Sequence, residues 1–504
     1  MSVQTITAPP NPAPGSSPGP SAPIAASAAF ILGTVLVAQL MVVLDASIVN
    51  VALPHMQRDM GLTQTSLSWV MNAYTLAFGG LLLLGARAGD LFGRRRIFLL
   101  GMAVFTVASF AGGFATSGEL LILARAVQGL GAALAAPTVL AMITISVPEG
   151  PPRNRALALF TATSIGGAAI GLVAGGMLTE WLSWRWVMFV NVPIGIGVFL
   201  AAALVLPETA RTTGRVDVAG AITSTLGMSS LVYGFVHAAD AGWGDAVTIG
   251  SFFAAAALLA AFVLVEQRAE APITPLGLFT DWTRSSAYLG RMLLVAGMMG
   301  MFFFMTQLVQ DVLGYSPLAA GLAFLPVTVG VFVSSQVAAR RLVGAIGPRA
   351  TMVLGTLMSA SSVFWLSHTS QTPSYLSIGV PLFLMGLGNG TAFLPLTAAA
   401  LQRVPPQHAG AASGLVNVAQ QVGSTLGLAV LVTVFSAASR PAATGHSVSG
   451  NAAEQAQHIF LQGADTSLLV AAGFIALAGL VAVTMHRWTP TTTAPATSEL
   501  LDVD

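Results

Sequence analysis

The sequence predicts an all-α membrane protein with fourteen transmembrane helices, arranged as two six-helix bundles and an inserted helix pair. Three observations predict this fold class. Apolar residues make up 55% of the 504 residues and charged residues only 8%, whereas a soluble domain carries roughly 25% charged residues. The apolar residues form continuous runs that are long enough to cross a bilayer. The chain also contains an internal repeat.

The number of spans follows from the length of the apolar runs. A transmembrane helix needs about 20 mainly apolar residues to cross roughly 30 Å of hydrocarbon. Because apolar residues are continuous in these runs rather than alternating, the runs are predicted to be helices and not barrel strands. The predicted spans are 29–51, 67–86, 97–115, 119–146, 157–180, 186–206, 216–236, 247–266, 287–310, 318–339, 351–367, 375–400, 411–437 and 467–486.

The two ends of the chain differ in composition from the spans. Residues 1–26 contain seven prolines among Ser, Ala and Gly, and such a segment cannot bury a core. It has no basic region before a cleavable apolar stretch, so a signal peptide is not predicted. We expect disordered cytoplasmic tails at residues 1–26 and 488–504.

The residue inventory excludes several classes of function. The chain has no cysteine, which excludes disulfides and thiolate metal sites. All 20 basic residues are arginine, so no lysine is present for a P-loop or for a retinal Schiff base. The net charge of +1 gives no reason to expect a nucleic-acid partner. With no nucleophile–base set and no metal-ligand spacing, we expect no enzymatic activity, no metal and no cofactor.

The distribution of arginine predicts the orientation. About 15 arginines lie in the loops on one side, and only Arg58, Arg185 and Arg440 lie in the loops on the other side. Because positive charge accumulates in cytoplasmic loops, both termini are predicted to be cytoplasmic in a multi-pass protein of the inner (plasma) membrane. The arginine-rich loops are 87–96, 147–156, 207–215, 267–286, 340–350 and 402–410, together with the C-terminal tail.

Three motifs occur twice, in the same order, at offsets of 254, 257 and 256 residues. An offset of this length covers eight predicted spans, an even number, so the two copies have the same orientation in the membrane. Parallel repeats of this kind are typical of transporters. The pairs are Gly93-Arg94 with Gly101 and Gly347-Pro348-Arg349 with Gly355, then GLG at 129–131 and 386–388, then GAAIGL at 167–172 and GSTLGL at 423–428.

The repeat predicts the domain organisation. An N-terminal six-helix bundle at 27–207 and a C-terminal six-helix bundle at 287–487 form the two halves, and residues 216–266 form the inserted pair. A substrate cavity is expected between the halves near the middle of the membrane, opened to each side in turn. This fold needs no partner chain, so we expect a monomer in the lipid bilayer.

Two ionisable residues are predicted to lie deep inside spans. Asp45 lies about 22 Å from the inner face and Arg125 about 9 Å from the outer face, so their depths in a 30 Å slab coincide. A charge at this depth is unfavourable by about 2.5–3.5 kcal/mol without a partner or a water-filled cavity. We expect Asp45 to carry protons with the help of Arg125; the alternative is a static pair that fixes helix packing. Arg291, one turn into its predicted span, is expected to reach the inner headgroups.

Two glycine-containing segments are expected to act in conformational change. The loop at 85–96, GARAGDLFGRRR, joins spans 2 and 3, and its glycines allow two helices to approach closely. Span 5 carries glycines at four-residue spacing, which predicts a tight helix–helix contact. The expected switch residues are Gly85, Gly89, Asp90, Gly93, Arg94 and Arg95, and the span-5 glycines are Gly167, Gly171, Gly175 and Gly176.

Polar residues inside spans are candidates for the substrate cavity, because lipid offers their side chains no hydrogen-bond partner. The Met- and Phe-rich segment 298–305 could form an adaptable apolar surface, although lipid-facing side chains are the simpler interpretation. The polar candidates are Asn72, Tyr74, Gln128, Gln307, Gln310, Asn389, Asn417, Gln420 and Gln421.

Over residues 30–487 the chain resembles the major facilitator superfamily, and within it the fourteen-span drug:proton antiporter branch. In that family the Arg of the fourth-span motif, here Arg125, is implicated in proton transfer. Leu172 stands where the span-5 motif has proline. The matching segments are LDASIVNVALP (44–54), GARAGDLFGRRR (85–96), RAVQGLGAA (125–133), GAAIGLVAGG (167–176), WRWVMFVNVPIG (184–195), VEQRAEAPITPLGLF (265–279) and LGYSPLAAGLAFLP (313–326).

The resemblance implies a proton-coupled antiporter that exports small apolar or monocationic drugs or antibiotics from the cytoplasm by alternating access. Some exporters of dicationic drugs carry extra acidic residues in later spans, and Asp311 is the one candidate here. The alternative is dedicated export of one endogenous metabolite or lipid-like product. Nutrient uptake, a membrane sensor and an embedded enzyme are the other hypotheses; a sensor needs an output domain and an enzyme needs a clustered acid–base set.

Overall fold

A computed structural model describes residues 22–148, 150–208, 217–269, 272–337, 341–368, 374–404, 408–444 and 452–485. This part of the chain forms α-helices joined by short connections, with a 3₁₀ turn at Leu276–Phe279 and a π-helical turn at Leu308–Val312. The helices are α1 (Ala22–Met60), α2 (Gln64–Phe92), α3 (Arg94–Gly113), α4 (Gly118–Ser146), α5 (Pro151–Trp181), α6 (Trp186–Phe189), α7 (Asn191–Val205), α8 (Val218–Ala241), α9 (Ala246–Arg268), α10 (Trp282–Gln307), α11 (Pro317–Ala323), α12 (Leu325–Val337), α13 (Val343–Leu366), α14 (Tyr375–Ala400), α15 (Ala409–Thr444) and α16 (Ala452–Thr484).

Within the described residues, 13 helical segments are long and apolar enough to cross a membrane. The pair α6 and α7 counts as one segment, and so does the pair α11 and α12. The predicted eleventh span, 351–367, lies in α13, which is helical but is not one of the 13. The predicted all-helical membrane fold is therefore confirmed, with one span less apolar than the others.

The predicted N-terminal tail and the structure differ at one boundary. Helix α1 begins at Ala22, five residues before the predicted bundle. Residues 1–21 of that tail lie outside the described residues, and so does the whole predicted tail at 488–504.

Polar residues in the connections cap the N-termini of several helices. Ser117 accepts a hydrogen bond from the backbone N–H of Leu120 at the start of α4. Asp245 accepts from the backbone N–H groups of Thr248 and Val247 at the start of α9, and the hydrogen bond from Thr248 lowers the pKa of the Asp245 carboxyl group. Such caps satisfy backbone donors that a helix leaves unpaired.

The helices pack into two groups and a pair. In the first group, α4 packs on α2 and α3, while α1 packs on α5 and α7. In the second group, α14 packs on α12 and α13, while α10 packs on α15 and α16. Helices α8 and α9 pack on each other, and α8 also contacts α2 and α15. The inserted pair thus lies against one helix from each group.

The glycine pairs of the sequence repeat occupy matching positions in the two groups. Gly101 on α3 faces the carbonyl oxygen of Gly131 on α4, 2.7 Å from where a Cβ would lie. In the second group, Gly355 on α13 faces the carbonyl oxygen of Gly388 on α14 at 2.6 Å. Both contacts need glycine because backbone approaches backbone. The repeat predicted from the sequence is therefore also a repeat in helix packing.

Along α5, the two groups contact each other more closely at one end than at the other. We call the end that carries residues 85–96 the motif end and the opposite end the far end. At the far end, Asn50 donates to Thr306 at 3.3 Å and Gln64 donates to Gln307 at 2.6 Å. Toward the motif end of α5, a Cβ at Gly166 would meet no described heavy atom within 4 Å. Along α5, the boundary between the groups is therefore tighter at the far end.

Candidate functional site

A buried ion pair occupies the middle of the first helix group. Asp45 on α1 is 0% exposed, and its Oδ2 accepts a hydrogen bond of 2.6 Å from Nη1 of Arg125 on α4. The Arg125 side chain is also buried, at 1% exposure. The depth estimate from the sequence placed these residues at one height, and the structure brings them into direct contact.

Two amides complete the contacts of the Asp45 carboxylate. Gln128 donates to Oδ1 at 2.7 Å and also donates to the hydroxyl of Ser109 at 2.8 Å. Asn191 donates to the same Oδ1 at 2.8 Å. The Gln128 carbonyl accepts from Arg125 at 2.6 Å, so these three donors belong to one connected network. Helices α1, α3, α4 and α7 each contribute one or more of its residues.

Arg125 has two contacts beyond this network. Its Nε donates to the carbonyl oxygen of Val70 at 3.2 Å, and its guanidinium lies 4.3 Å from the centre of the Tyr74 ring. Both residues are on α2. A cation over an aromatic face is attracted by the ring quadrupole. The guanidinium is therefore held by α1, α2 and its own helix.

The geometry determines which protonation state of Asp45 fits. Three donors point at its two oxygens, and an ionised carboxylate is an acceptor only. Hydrogen bonds of 2.6–2.8 Å to a charged group are in the strong range. These three hydrogen bonds thus stabilise Asp45 in its ionised form.

The span-5 glycines lie beside this ion pair. Gly167, Gly171 and Gly175 face α1, and a Cβ at Gly171 would lie 2.9 Å from the carbonyl oxygen of Leu44. Leu44 directly precedes Asp45 in the sequence. The glycine face therefore sets the distance between α5 and the segment of α1 that carries the carboxylate.

The fourth span-5 glycine contacts the other helix group. A Cβ at Gly176 would lie 2.6 Å from Cα of Leu318 on α11. Gly321 on α11 in turn faces the backbone of Leu172, with 3.0 Å between its Cβ position and the Leu172 carbonyl carbon. The two groups thus approach backbone to backbone at the far end.

The segment at 85–96 is mostly helical rather than a loop. Helix α2 continues to Phe92 and α3 begins at Arg94. A Cβ at Gly85 would lie 2.8 Å from the carbonyl carbon of Ala133 on α4, and Gly89 faces Thr138 at 3.7 Å. Close packing of α2 on α4 therefore explains the glycine at 85, whereas the contact at Gly89 is of ordinary van der Waals length.

The turn itself is made by Gly93, which has φ of +100°. On either side of it, Arg94 donates to Oδ1 of Asp90 at 2.9 Å. Arg95 donates to the carbonyl oxygen of Ala203 on α7. A residue with a side chain rarely adopts positive φ, so glycine is needed at the turn.

The polar cavity candidates lie at several places. Gln307 and Gln310 are at the far end, where Gln310 donates to the carbonyl oxygen of Val51 at 2.8 Å. Asn417 on α15 is exposed, whereas Gln421 packs its Cβ against Gly79 of α2. Gln310 and Gln421 thus contact the first group at separate places, and the candidates do not form one cluster.

The other candidates are buried within one group. Gln128 belongs to the Asp45 network, and Tyr74 lies under Arg125 with its hydroxyl group unpaired among the described residues. Both polar atoms of the Asn72 side chain also have no hydrogen-bond partner there. In the second group, Asn389 accepts from Ser359 at 3.0 Å.

Arg291, which was expected to reach the inner headgroups, contacts two other helices of the second group. Helix α10 begins at Trp282, so Arg291 lies nine residues, or about 13 Å, along it. The guanidinium donates to Gln420 at 2.7 Å and to Thr397 at 3.3 Å, and it lies 4.1 Å from the centre of the Phe393 ring. The helix begins five residues before the predicted span at 287, so Arg291 is farther from the helix end than the sequence indicated.

Asn191 and Ser109 were missed among the candidate site residues. Asn191 interrupts an apolar stretch in the predicted sixth span, and this was the available signal. Ser109 gave no usable signal, because serine in a membrane helix commonly bonds to its own backbone. It does so here as well, donating to the carbonyl oxygen of Phe105 at 2.8 Å.

An all-helical membrane protein with two parallel repeats and a buried ionisable network has the features of a secondary transporter. The chain belongs to the Major Facilitator Superfamily, whose profile matches residues 35–428. The family predicted from the sequence motifs is therefore confirmed, and the family is one of transporters rather than of enzymes.

Curated relatives support the same assignment. The chain is 43% identical over 424 residues to the puromycin resistance protein pur8 of Streptomyces alboniger, covering 83% of this chain and 84% of that protein. It is 42% identical over 426 residues to the cephamycin export protein CmcT of Amycolatopsis lactamdurans, covering 84% and 86%. A solved bacterial homologue of the lysosomal transporter Spinster has a TM-score of 0.67 at 16% identity, covering 94% of this chain and 100% of that one. The last similarity concerns the fold.

Proposed function

We propose that this protein exports small, mainly apolar compounds, antibiotics among them, in exchange for protons. The compounds bind between the two helix groups, which open to each side of the membrane in turn. Support comes from relatives named for puromycin resistance and cephamycin export. The observation that carries the proton coupling is the buried carboxylate of Asp45, held by Arg125 and Gln128.

Asp45 is the proton carrier in this mechanism. In the arrangement described, its two oxygens are occupied by donors, which favours the ionised form. When the helices of the first group shift, Arg125 moves away, and the isolated carboxylate then takes up a proton because an unpaired charge is unfavourable in this interior. Return of Arg125 displaces the proton. Arg125 thus acts as a competing partner of the proton.

The proposal includes an orientation in which the motif end and both chain termini face the cytoplasm across the plasma membrane. The arginine excess on one side of the predicted spans supports this orientation. The moving units are the bundles at 27–207 and 287–487, with residues 216–266 as an inserted pair. The protein works as a monomer in the bilayer, and neither a cofactor nor nucleic acid takes part.

The segment at 85–96 and the span-5 glycines control the movement between states. Asp90, Arg94 and Arg95 tie α2, α3 and α7 together at the motif end. Gly171 and Gly176 let α5 slide against α1 and α11 without side-chain obstruction. The polar residues that line the path of the compound are Asn72, Tyr74, Gln128, Gln307, Gln310, Asn417 and Gln421.

The energy available to such an exchange is sufficient for resistance. One charge moving through 100 mV yields about 2.3 kcal/mol. One proton per compound therefore sustains roughly a fiftyfold gradient from the membrane potential alone. A pH difference across the membrane adds to it.

Dedicated export of one compound is the second candidate function. Two relatives carry the names of single antibiotics, puromycin and cephamycin, and this favours a narrow substrate range. A panel of antibiotics from unrelated classes distinguishes the two. Resistance to several classes supports multidrug export, and resistance to one compound supports the dedicated exporter.

The test is a resistance assay in an efflux-deficient host, with and without an uncoupler. We expect Asp45→Asn to abolish resistance at normal expression, because the amide cannot exchange a proton. Asp59→Asn is the control, since Asp59 is half exposed and pairs with Arg185 at 3.4 Å; it should retain resistance. Full resistance of Asp45→Asn, or resistance unaffected by the uncoupler, would contradict proton coupling through Asp45.

A further inference from the structure

Arg291 is a cation inside the second helix group that the proton mechanism does not use. Its Nη2 donates to Oε1 of Gln420 on α15 at 2.7 Å, and its Nη1 donates to the hydroxyl of Thr397 on α14 at 3.3 Å. The ring of Phe393 lies 4.1 Å from the guanidinium carbon. All three contacts are with neutral groups, so the charge is fixed in position but not neutralised.

No described carboxylate lies within 4.0 Å of the Arg291 guanidinium. Its Nε is buried and has no hydrogen-bond partner in that part of the chain. A guanidinium has five N–H donors, and two of its nitrogens make the hydrogen bonds described. Donor capacity and positive charge therefore remain for a ligand.

The Arg291 site lies next to the first helix group, because its partner Gln420 is on α15, the helix of the second group that packs on α2. Gln421, next to Gln420, packs against Gly79 of the first group. Gly167 of α5 faces Leu40 of α1, as Gly423 of α15 faces Met292 of α10. By this packing, the pair in the first group that matches Arg291 and Gln420 is Gln39 with Ser164, joined by a hydrogen bond of 3.1 Å.

The pair in the first group is neutral, whereas the pair in the second group carries a charge. Since the helix packing is shared, packing alone does not require an arginine at this position. A role in binding accounts for the difference between the two groups.

We propose that Arg291, supported by Gln420, binds an anionic oxygen group, a carboxylate in the first place, on the exported compound. This inference rests on the proposed export function and assigns the charge class of its substrate. A guanidinium matches a carboxylate through two parallel N–H···O bonds. In a membrane interior such a pair also removes an unfavourable isolated charge. The compound is therefore mainly apolar with one acidic group, rather than monocationic.

The phosphate of a membrane lipid is a second group that could bind to Arg291. Lipid phosphate also offers anionic oxygens to a guanidinium. The position about 13 Å along α10 and the contacts with α14 and α15 favour a compound inside the protein over a lipid headgroup at the end of the helix. The experiment therefore varies the lipid as well as the ligand.

The test uses fusidic acid and its methyl ester, two mainly apolar probes that differ in one carboxylate. Binding to the purified full chain in phosphatidylcholine nanodiscs is measured by calorimetry for wild type, Arg291→Gln and Arg291→Lys. We expect wild type to bind the acid at least about tenfold more tightly than the ester, a difference that one charge-assisted pair supplies. Arg291→Gln should remove this preference without weakening ester binding, and Arg291→Lys should keep part of it.

Binding is measured without a proton gradient, so its outcome is independent of proton-coupled export. Asp45→Asn, which should abolish export, should keep the preference for the acid. A wild type that does not bind the acid more tightly than the ester overturns the proposal. So does a preference that survives in Arg291→Gln. Phosphatidylglycerol that is retained by wild type and lost in Arg291→Gln, with equal binding of acid and ester, would assign the site to lipid.

Discussion

The two helix groups share their backbone packing but differ in their buried charges. Gly171 on α5 faces Leu44 of α1, and Gly427 on α15 faces Ala296 of α10, at the matching place of the second group. In both contacts a Cβ would lie under 3 Å from the facing helix. The charged residues do not follow this repeat: the first group has an arginine bonded to a carboxylate, and the second has one bonded to neutral groups.

This difference separates what the fold requires from what the function requires. Close glycine packing is needed in both groups, because each must bring an α1-type helix against an α5-type helix. A buried ion pair is needed in one group only. The glycines are kept in both copies of the repeat, which indicates a role in packing. The buried charges differ between the copies, which indicates a role in function.

The largest expected effect is a difference in stability between the variants that neutralise the two arginines separately. Arg125→Gln leaves the Asp45 carboxylate buried without its cation, and breaking a buried pair in this way costs about 3–5 kcal/mol. Arg291→Gln leaves no described carboxylate without its cation and removes two hydrogen bonds to neutral groups, so we expect a smaller loss of stability, below about 3 kcal/mol. Thermal denaturation in detergent at neutral pH measures both.

A double variant serves as the control for the first group. Asp45→Asn with Arg125→Gln removes both charges, so most of the stability lost in Arg125→Gln should return. Export should remain absent because no carboxylate is left. Equal destabilisation by Arg125→Gln and Arg291→Gln would mean that the two arginines do not differ in this respect.

A smaller effect is expected from filling the shared glycine contacts. Leucine at Gly171 or at Gly427 would meet the facing helix, and overpacking of this kind typically costs about 1–3 kcal/mol. Both variants should be less stable to a similar degree and should export slowly, because α5 and α15 are displaced. Leucine at Gly166 or at Gly473 is the matched control, since neither position has a described heavy atom within 4 Å.

Stability and resistance assays on these four variants test the shared packing. Destabilisation by Gly171→Leu alone would show that the second contact tolerates a side chain. The two halves would then differ in packing as well as in charge.

The fold class and the ion pair could be predicted from the sequence because both follow from counting residues along the apolar runs. Apolar runs define spans, and the depth of Asp45 and Arg125 follows from counting residues along two helices. Counting gives height in the membrane but not the direction in which a side chain points. For this reason the partner of Asp45 on α4 was predicted, whereas Asn191 on α7 was missed.

The predicted span that contains Arg291 is shorter than the helix in the structure. Helix α10 begins at Trp282, and its N-cap Asp281 accepts from the backbone N–H of Arg284 at 3.0 Å. This first turn is polar, so it was omitted from the predicted span although the cap was visible in the sequence.

The glycine face of α5 was predicted, but which helix each glycine contacts depends on tertiary packing. Gly176 contacts α11 of the other group for that reason.

The smallest expected effect tests the turn that both halves contain. Gly93 has φ of +100° and Gly347 has φ of +82°, so the repeated motif uses the same unusual backbone twice. A Cβ at Gly347 would meet no described heavy atom within 4 Å. Gly347→Ala therefore isolates the backbone strain, which is on the order of 1–3 kcal/mol for a residue held at the φ of +82° and ψ of 160° found there.

Gly344 provides the control for this turn, because it lies in helical backbone of α13 and its Cβ position is equally free. Gly344→Ala should leave the denaturation midpoint unchanged or raise it, since alanine favours a helix over glycine by up to about 1 kcal/mol. We expect Gly93→Ala and Gly347→Ala to lower the midpoint by similar amounts, because both replace a glycine at positive φ. A Gly347→Ala variant as stable as Gly344→Ala would show that the second half does not need the turn, and the halves would then differ in backbone as well as in charge.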